Sequence, residues 1–240
     1  MKNFTLVTGS SRGIGAGISE HLMSKRTVFT NSRGLSKSTF LYSNNTHRHL
    51  FFDCANQQEV HNSFSQLVQQ GYSMNELVCC VGSGSIIVKS GDSTWLEYWR
   101  TNFLSAQVVI EEALNLFGET LRHIVVMSSI AGLTPMTDPP VEYSVSKAAL
   151  NHYIKVLAKG IAPNGILLNA ILPGNILFPG SRWQERLDAD ESQTKKYIHD
   201  NVPLMKFGSI ASISLLVEFL LEKNDFITGQ LLTIDGGQSL

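Results

Sequence analysis

Phe4-Thr5-Leu6-Val7-Thr8-Gly9-Ser10-Ser11-Arg12-Gly13-Ile14-Gly15 takes the chain from an apolar run through a glycine-rich turn into a helical pattern. At such a junction a phosphate can meet free backbone N–H groups and the positive end of a helix. Gly9, Gly13 and Gly15 permit the tight turn and the close approach of a pyrophosphate, with Ser11, Arg12 and Ile14 between them. The spacing is G-x-x-x-G-x-G and not G-x-G-x-x-G, so the loop's place directly after a strand carries more weight than the glycines themselves.

Outward from this loop, short apolar runs alternate with longer helical patterns, the signature of βαβ units around a parallel sheet. Strands are expected near Phe4–Thr8, Thr27–Asn31, His49–Asp53, Leu77–Val81, His123–Ser128, Ile166–Leu172 and Leu231–Asp235. Helices are expected at about Ile14–Lys25, Gln57–Gln70, Thr94–Phe117, Val141–Ile161, Trp183–Asn201 and Ile210–Glu222. Runs such as Ile124-Val125-Val126-Met127 are continuously apolar, which fits strands covered on both faces. The expectation is an α/β Rossmann fold, doubly wound, with seven parallel strands in one domain of 240 residues. Residues 34–48 read as a loop or short helix, and Pro173–Asn201 as a mobile lid over the substrate.

A hydrophobic fraction of 43% with 16% charged residues and a net charge of −1 fits a globular protein, and no basic excess points to nucleic acid or an anionic membrane. The N-terminal apolar run is too short for a signal peptide, and no run approaches a membrane span. Cys54, Cys79 and Cys80 are odd in number and lack metal-ligand spacing, which suits a reducing cytoplasm and no bound metal.

Tyr143-Ser144-Val145-Ser146-Lys147 opens a helical pattern, so the tyrosine and lysine at i and i+4 share a face. A neighbouring ammonium favours the phenolate, and Tyr143 can then act as acid to a carbonyl or base to an alcohol. Ser128-Ser129 ends an apolar strand and brings a hydroxyl to the carboxyl edge of the sheet, where doubly wound folds bind ligands.

With these motifs in order, the chain resembles the short-chain dehydrogenase/reductase family over nearly its whole length. Besides the loop at Thr8–Gly15 and Tyr143-x-x-x-Lys147, the matches are Asp53, Asn102, Ser128-Ser129, Asn169, Pro173-Gly174 and Thr233-Ile234-Asp235-Gly236-Gly237. The resemblance implies a nicotinamide-dependent oxidoreductase interconverting a carbonyl and a secondary alcohol. By it, Ser129 orients the substrate oxygen and Tyr143 donates the proton. Lys147 holds the cofactor ribose and lowers the tyrosine pKa, while Asn102 positions a relay water. Asp53 meets the adenine, Gly82 permits backbone approach, and Ile176, after Pro173-Gly174, offers backbone to the carboxamide.

Three departures stand out. The Asn-Asn-Ala-Gly usual after the fourth strand is Cys79-Cys80-Val81-Gly82, Phe178 stands where the family has threonine, and the Ser129–Tyr143 gap is one residue longer than usual. That leaves open whether Ser128 or Ser129 faces the carbonyl, with Ser129 preferred.

The second strand ends Thr30-Asn31-Ser32-Arg33 without the acid typical of NAD-specific members, and Arg33 with Arg12 could bracket a 2′-phosphate, with Ser32 a further donor. NADP(H) is therefore the expected cofactor. The substrate is expected to be a small metabolite such as a sugar derivative. The alternative of a 3-oxoacyl-[acyl-carrier-protein] reductase is weakened by Asn164 where a basic residue is usual, although Arg122 and Lys159 could contribute. A cofactor-binding protein without turnover is disfavoured because Asn102, Ser129, Tyr143 and Lys147 are all present. Family members pair their fourth and fifth helices, so a homo-oligomer, and a tetramer in particular, is expected, with Phe103, Leu104, Val108 and Val109 at core or interface.

Overall fold

The computed structural model describes residues 2–34, 47–86 and 93–240. Strands β1 (Lys2–Thr8), β2 (Val28–Ser32), β3 (Arg48–Phe51), β4 (Tyr72–Cys79), β5 (His123–Met127), β6 (Leu167–Pro173) and β7 (Leu231–Ile234) form one sheet in the order β3-β2-β1-β4-β5-β6-β7. Every pairing is parallel. The order reverses between β1 and β4, so a crevice opens at their carboxyl ends, next to the glycine loop.

Helices α1 (Gly13–Met23), α2 (Gln57–Gln69), α3 (Thr94–Trp99), α4 (Ser105–Phe117), α5 (Val141–Ile161), α6 (Arg182–Ala189), α7 (Glu191–Asn201) and α8 (Ile210–Glu222) complete the described elements. The apolar strands feed two cores, as a sheet covered on both faces requires. In β4, Leu77 and Cys79 join Val60, Phe64, Ile110 and Leu150 of α2, α4 and α5 on one face. Val78, between them, joins Ile18, Leu22, Ile213 and Val217 of α1 and α8 on the other. No helix among the described residues is long and apolar enough to cross a membrane.

Two expected helices are broken. Thr94–Phe117 is interrupted by a π-helical turn at Arg100–Leu104 that contains Asn102. Trp183–Asn201 divides at Asp190, whose extended backbone ends α6 and whose carboxylate accepts from Gln193 N–H to cap α7. β4 starts five residues earlier than the apolar pattern indicates, and β3 ends before Asp53. Of the expected loop at 34–48, residues 35–46 lie outside the described residues, and Arg48 opens β3. Val109 is wholly buried in the core and is therefore no interface residue, while Phe103 and Val108 pack against the same core.

Candidate active site

The glycine loop leaves β1 at Gly9, whose φ of +63° is a conformation that glycine adopts without strain. A Cβ there would lie 2.8 Å from the Val81 backbone N, and one at Gly15 would lie 2.5 Å from the Gly9 carbonyl O. The loop is thus folded so tightly against itself and the end of β4 that side chains are excluded. Arg12 precedes α1 without capping it, and the first turn of α1 holds no acid, so the positive helix end has no internal anion. Ser11 and Ile14 are half-buried within the loop, and Gly13, also at positive φ, lies under the Phe178 ring, 3.0 Å from where its Cβ would be. These features fit a bound dinucleotide phosphate.

Beside the loop, the ends of β4 and β5 and the start of α5 converge. The Lys147 ammonium is buried and donates to the Met127 carbonyl at 3.0 Å. Asn102, wholly buried in the π-turn, accepts from Ser83 N–H at 2.9 Å and donates to the Ser83 and Tyr98 carbonyls, both at 3.1 Å. A Cβ on Gly82 would lie 3.0 Å from Lys147 Nζ and 3.1 Å from Asn102 Oδ1, so the missing side chain is what brings the two together. The π-turn accounts for the reach of Asn102, because a widened turn shifts side chains relative to the regular helix.

The hydroxyls of Ser128 and Ser129 part company. Ser128 is buried and donates to Asn151 Oδ1 on α5 at 2.6 Å. Ser129 caps the short 3₁₀ turn at Ile130–Gly132, accepting from Ala131 N–H, and bonds to the Tyr143 phenol. Gly132 makes this possible: a Cβ there would strike the α5 backbone at Lys147 at 2.5 Å. Asn151 and Gly132, neither anticipated from the sequence, lock the turn onto α5, with Asn151 also donating to the Gly132 carbonyl.

Burial dominates the electrostatics. It pushes the Tyr143 phenol up, with the Ser129 bond pulling the other way. It also lowers Lys147 to about 8. The expected lowering of the Tyr143 pKa by Lys147 is absent from this arrangement. The ammonium lies 6.0 Å from the ring centroid and spends a hydrogen bond on Met127.

The outer residues divide. Arg12 and Arg33 are exposed, and among the described residues neither is in an ion pair. Ser32 is not the free donor expected, since its hydroxyl donates to the Gly34 carbonyl at 2.7 Å and bonds to His49 Nε2. Asp53 pairs with Arg100 at 2.7 Å in the turn after β3. Pro173 ends β6, and Gly174 is pressed against Asp235, 2.8 Å from its Cβ. The bridge between Ile176 and Gly208 uses the Asn175 carbonyl and Leu177 N–H, leaving the Ile176 backbone groups on the other edge. Beyond it, Arg182 and Arg186 of α6 both reach Asp138, at 3.1 and 2.8 Å, and so join the segment after β6 to the Ser129–Tyr143 loop. The long gap and its prolines were the only sequence signal of that contact. Among the described residues no cluster of His, Cys, Asp and Glu could hold a metal.

Comparison with known proteins points the same way. The family profile described as enoyl-(acyl carrier protein) reductase matches residues 9–239. A 3-oxoacyl-[acyl-carrier-protein] reductase of Mus musculus is 28% identical over 100% of this chain and 99% of its own. The solved structure of ElxO with NADP bound is 28% identical, with a TM-score of 0.85 over 99% of both chains. A short-chain dehydrogenase of Leptospira borgpetersenii with bound NAD+ has a TM-score of 0.85 at 24% identity, covering 100% of this chain and 94% of its own, which speaks for the fold alone.

Proposed function

The chain belongs to the short-chain dehydrogenase/reductase family, an oxidoreductase family acting on small molecules, and from that premise we propose that it interconverts a carbonyl and a secondary alcohol with NADP(H). The observation that carries the reading is that Lys147 and Asn102 meet at Gly82, at the carboxyl edge of the sheet, while Tyr143 lies between Lys147 and Ser129. Gly9, Ser11, Gly13, Ile14 and Gly15 hold the pyrophosphate, Asp53 and Gly82 the adenosine half, and Pro173, Gly174 and Ile176 the nicotinamide end. When bound, the nicotinamide supplies or takes the hydride.

Ser129 donates a hydrogen bond to the substrate oxygen, and Tyr143 gives that oxygen its proton. A phenol held above its ordinary pKa by burial is protonated at neutral pH, ready for the reductive direction. The Lys147 ammonium, anchored on the Met127 carbonyl, holds the cofactor ribose. Asn102 holds open the turn at Gly82 and Ser83, beside which a water relays protons to Lys147.

The NADP(H) preference rests on Arg33 and Arg12, exposed and without an ion pair among the described residues, at the strand end that lacks an acid. Arg33→Ala should raise the Michaelis constant for NADPH about tenfold, given charged hydrogen bonds worth ~1.5–3 kcal/mol, and leave that for NADH nearly unchanged. Equal wild-type efficiency with the two cofactors overturns the preference.

The names of the curated relatives favour a second reading, a 3-oxoacyl-[acyl-carrier-protein] reductase. Against it, Arg122 precedes β5 at the opposite edge of the sheet and spends its guanidinium on the Leu121 and Glu119 carbonyls. Lys159 lies twelve residues beyond Lys147 on α5, about 18 Å along its axis. Neither gives an acidic carrier a foothold beside the site, so the first reading, a small free carbonyl compound such as a sugar derivative, is preferred. NADPH oxidation measured with free carbonyl compounds and with a carrier-bound 3-oxoacyl thioester separates the two. Turnover of the thioester alone would overturn the first.

A further inference from the structure

One buried amide joins the two halves of the nucleotide site. Asn31, 1% exposed near the end of β2, donates through Nδ2 to the Phe52 carbonyl at 3.1 Å and, more weakly, to that of Leu50 at 3.4 Å. Its Oδ1 accepts from the Cys54 thiol at 3.1 Å and faces Gly9 N–H at 3.5 Å. Phe52 and Cys54 are the chain neighbours of Asp53, so a single side chain grips both sides of the residue on the adenine side and meets the first glycine of the phosphate loop.

The backbone of Asn31 does the rest. Ser10, wholly buried, donates its N–H to the Asn31 carbonyl at 3.0 Å, while its hydroxyl donates to the same carbonyl at 3.2 Å and accepts from Asn31 N–H at 2.9 Å. The Ser10 side chain thereby carries the pairing of β1 with β2 two residues into the loop. We propose that Asn31, clasped by Ser10, is a positioning residue that sets the distance between the phosphate loop and Asp53 and so determines cofactor affinity.

The inference rests on the nucleotide-binding reading above, and the test keeps the two apart. Wild-type enzyme, Asn31→Leu and Ser10→Ala are titrated with NADPH and NADH by nicotinamide fluorescence, kcat is measured at saturating cofactor, and folding is followed by thermal denaturation. Asn31→Leu keeps the volume and removes all the side-chain bonds, so the NADPH dissociation constant should rise about tenfold or more while kcat at saturation stays within about threefold. Ser10→Ala should raise the dissociation constant about threefold or more by the same reasoning, and it decides the matter if Asn31→Leu does not fold. A merely structural role would lower the melting temperature and the active fraction but not the affinity of the folded enzyme. Unchanged cofactor affinity in the folded variants overturns the inference alone, whereas a wild type that binds neither dinucleotide overturns the nucleotide reading and this inference with it.

Discussion

The ends of β4 and β5 lie side by side at the crevice, and they serve the site in opposite ways. β5 ends in Met127-Ser128-Ser129, where one hydroxyl locks the turn to α5, the next faces Tyr143 and a carbonyl holds Lys147. β4 ends in Cys79-Cys80-Val81-Gly82, where the thiols, buried at Cys79 and half-buried at Cys80, are neutral and the contribution is backbone and empty space at Gly82. A strand end can thus contribute to a site through the groups it carries or through the room it leaves. The second kind tolerates side-chain change as long as the space persists, and on this view the loss of the usual asparagines after β4 leaves the reaction intact.

The largest effect expected on the β5 side comes from Tyr143→Phe, which removes the transferable proton and keeps the ring. Turnover should fall by about 10²–10⁴ with cofactor affinity unchanged, as seen by steady-state kinetics and fluorescence titration. Near-wild-type activity would show that the proton comes from elsewhere.

On the β4 side, the corresponding test fills the space. In Gly82→Ala the new methyl lies 3.0 Å from Lys147 Nζ and 3.1 Å from Asn102 Oδ1, closer than either can accept without moving. Because a small displacement of reacting groups is costly, kcat should fall on the order of tenfold to a hundredfold while the fold persists, as checked by circular dichroism. A fully active variant would mean that the space at Gly82 has no role.

A pH profile sharpens the comparison, since Lys147 touches both strand ends. Burial lowers its ammonium to about 8, whereas the Tyr143 phenol is pushed up and stays protonated through the same range. The rate of carbonyl reduction should therefore be level below about pH 8 and fall above it as the ammonium loses its proton. Substituting Tyr143 cannot move that limb, and a profile level to pH 10 would detach the lysine from the reaction.

What the sequence made legible follows the same division. Continuous apolar runs located the strands because both faces of this sheet are covered, and side-chain motifs such as Tyr143-x-x-x-Lys147 located residues that the fold brings to the crevice. The π-turn around Asn102 was invisible because the pattern of apolar residues continues through it, and the break at Asp190 because a capping aspartate reads like any surface acid. Gly132 and Asn151 carry no motif: one matters for the side chain it lacks, the other for partners that are near only after folding. Ser32 was misread for a related reason, since its partner His49 comes alongside only when β2 and β3 pair.

The smallest expected effect tests the inertness of the β4 thiols. Cys80 lies beneath the glycine loop, its Cβ 3.1 Å from where a Cβ of Gly15 would be, and Lys147 is near enough to pull its pKa down. A thiol beside an ammonium and a cofactor loop would ordinarily be suspected of reactivity. Burial wins here: it is the larger effect, and the thiol is pushed up to about 12. The thiolate fraction at neutral pH is then on the order of one in 10⁵, so the sulfur is neither a nucleophile nor a counter-ion for Lys147. Cys80→Ser should keep kcat/KM within about twofold, and iodoacetamide at neutral pH should inactivate the enzyme no faster than the variant. Rapid inactivation of the wild type, prevented by NADPH and absent in Cys80→Ser, would show that this strand end supplies a reactive group after all.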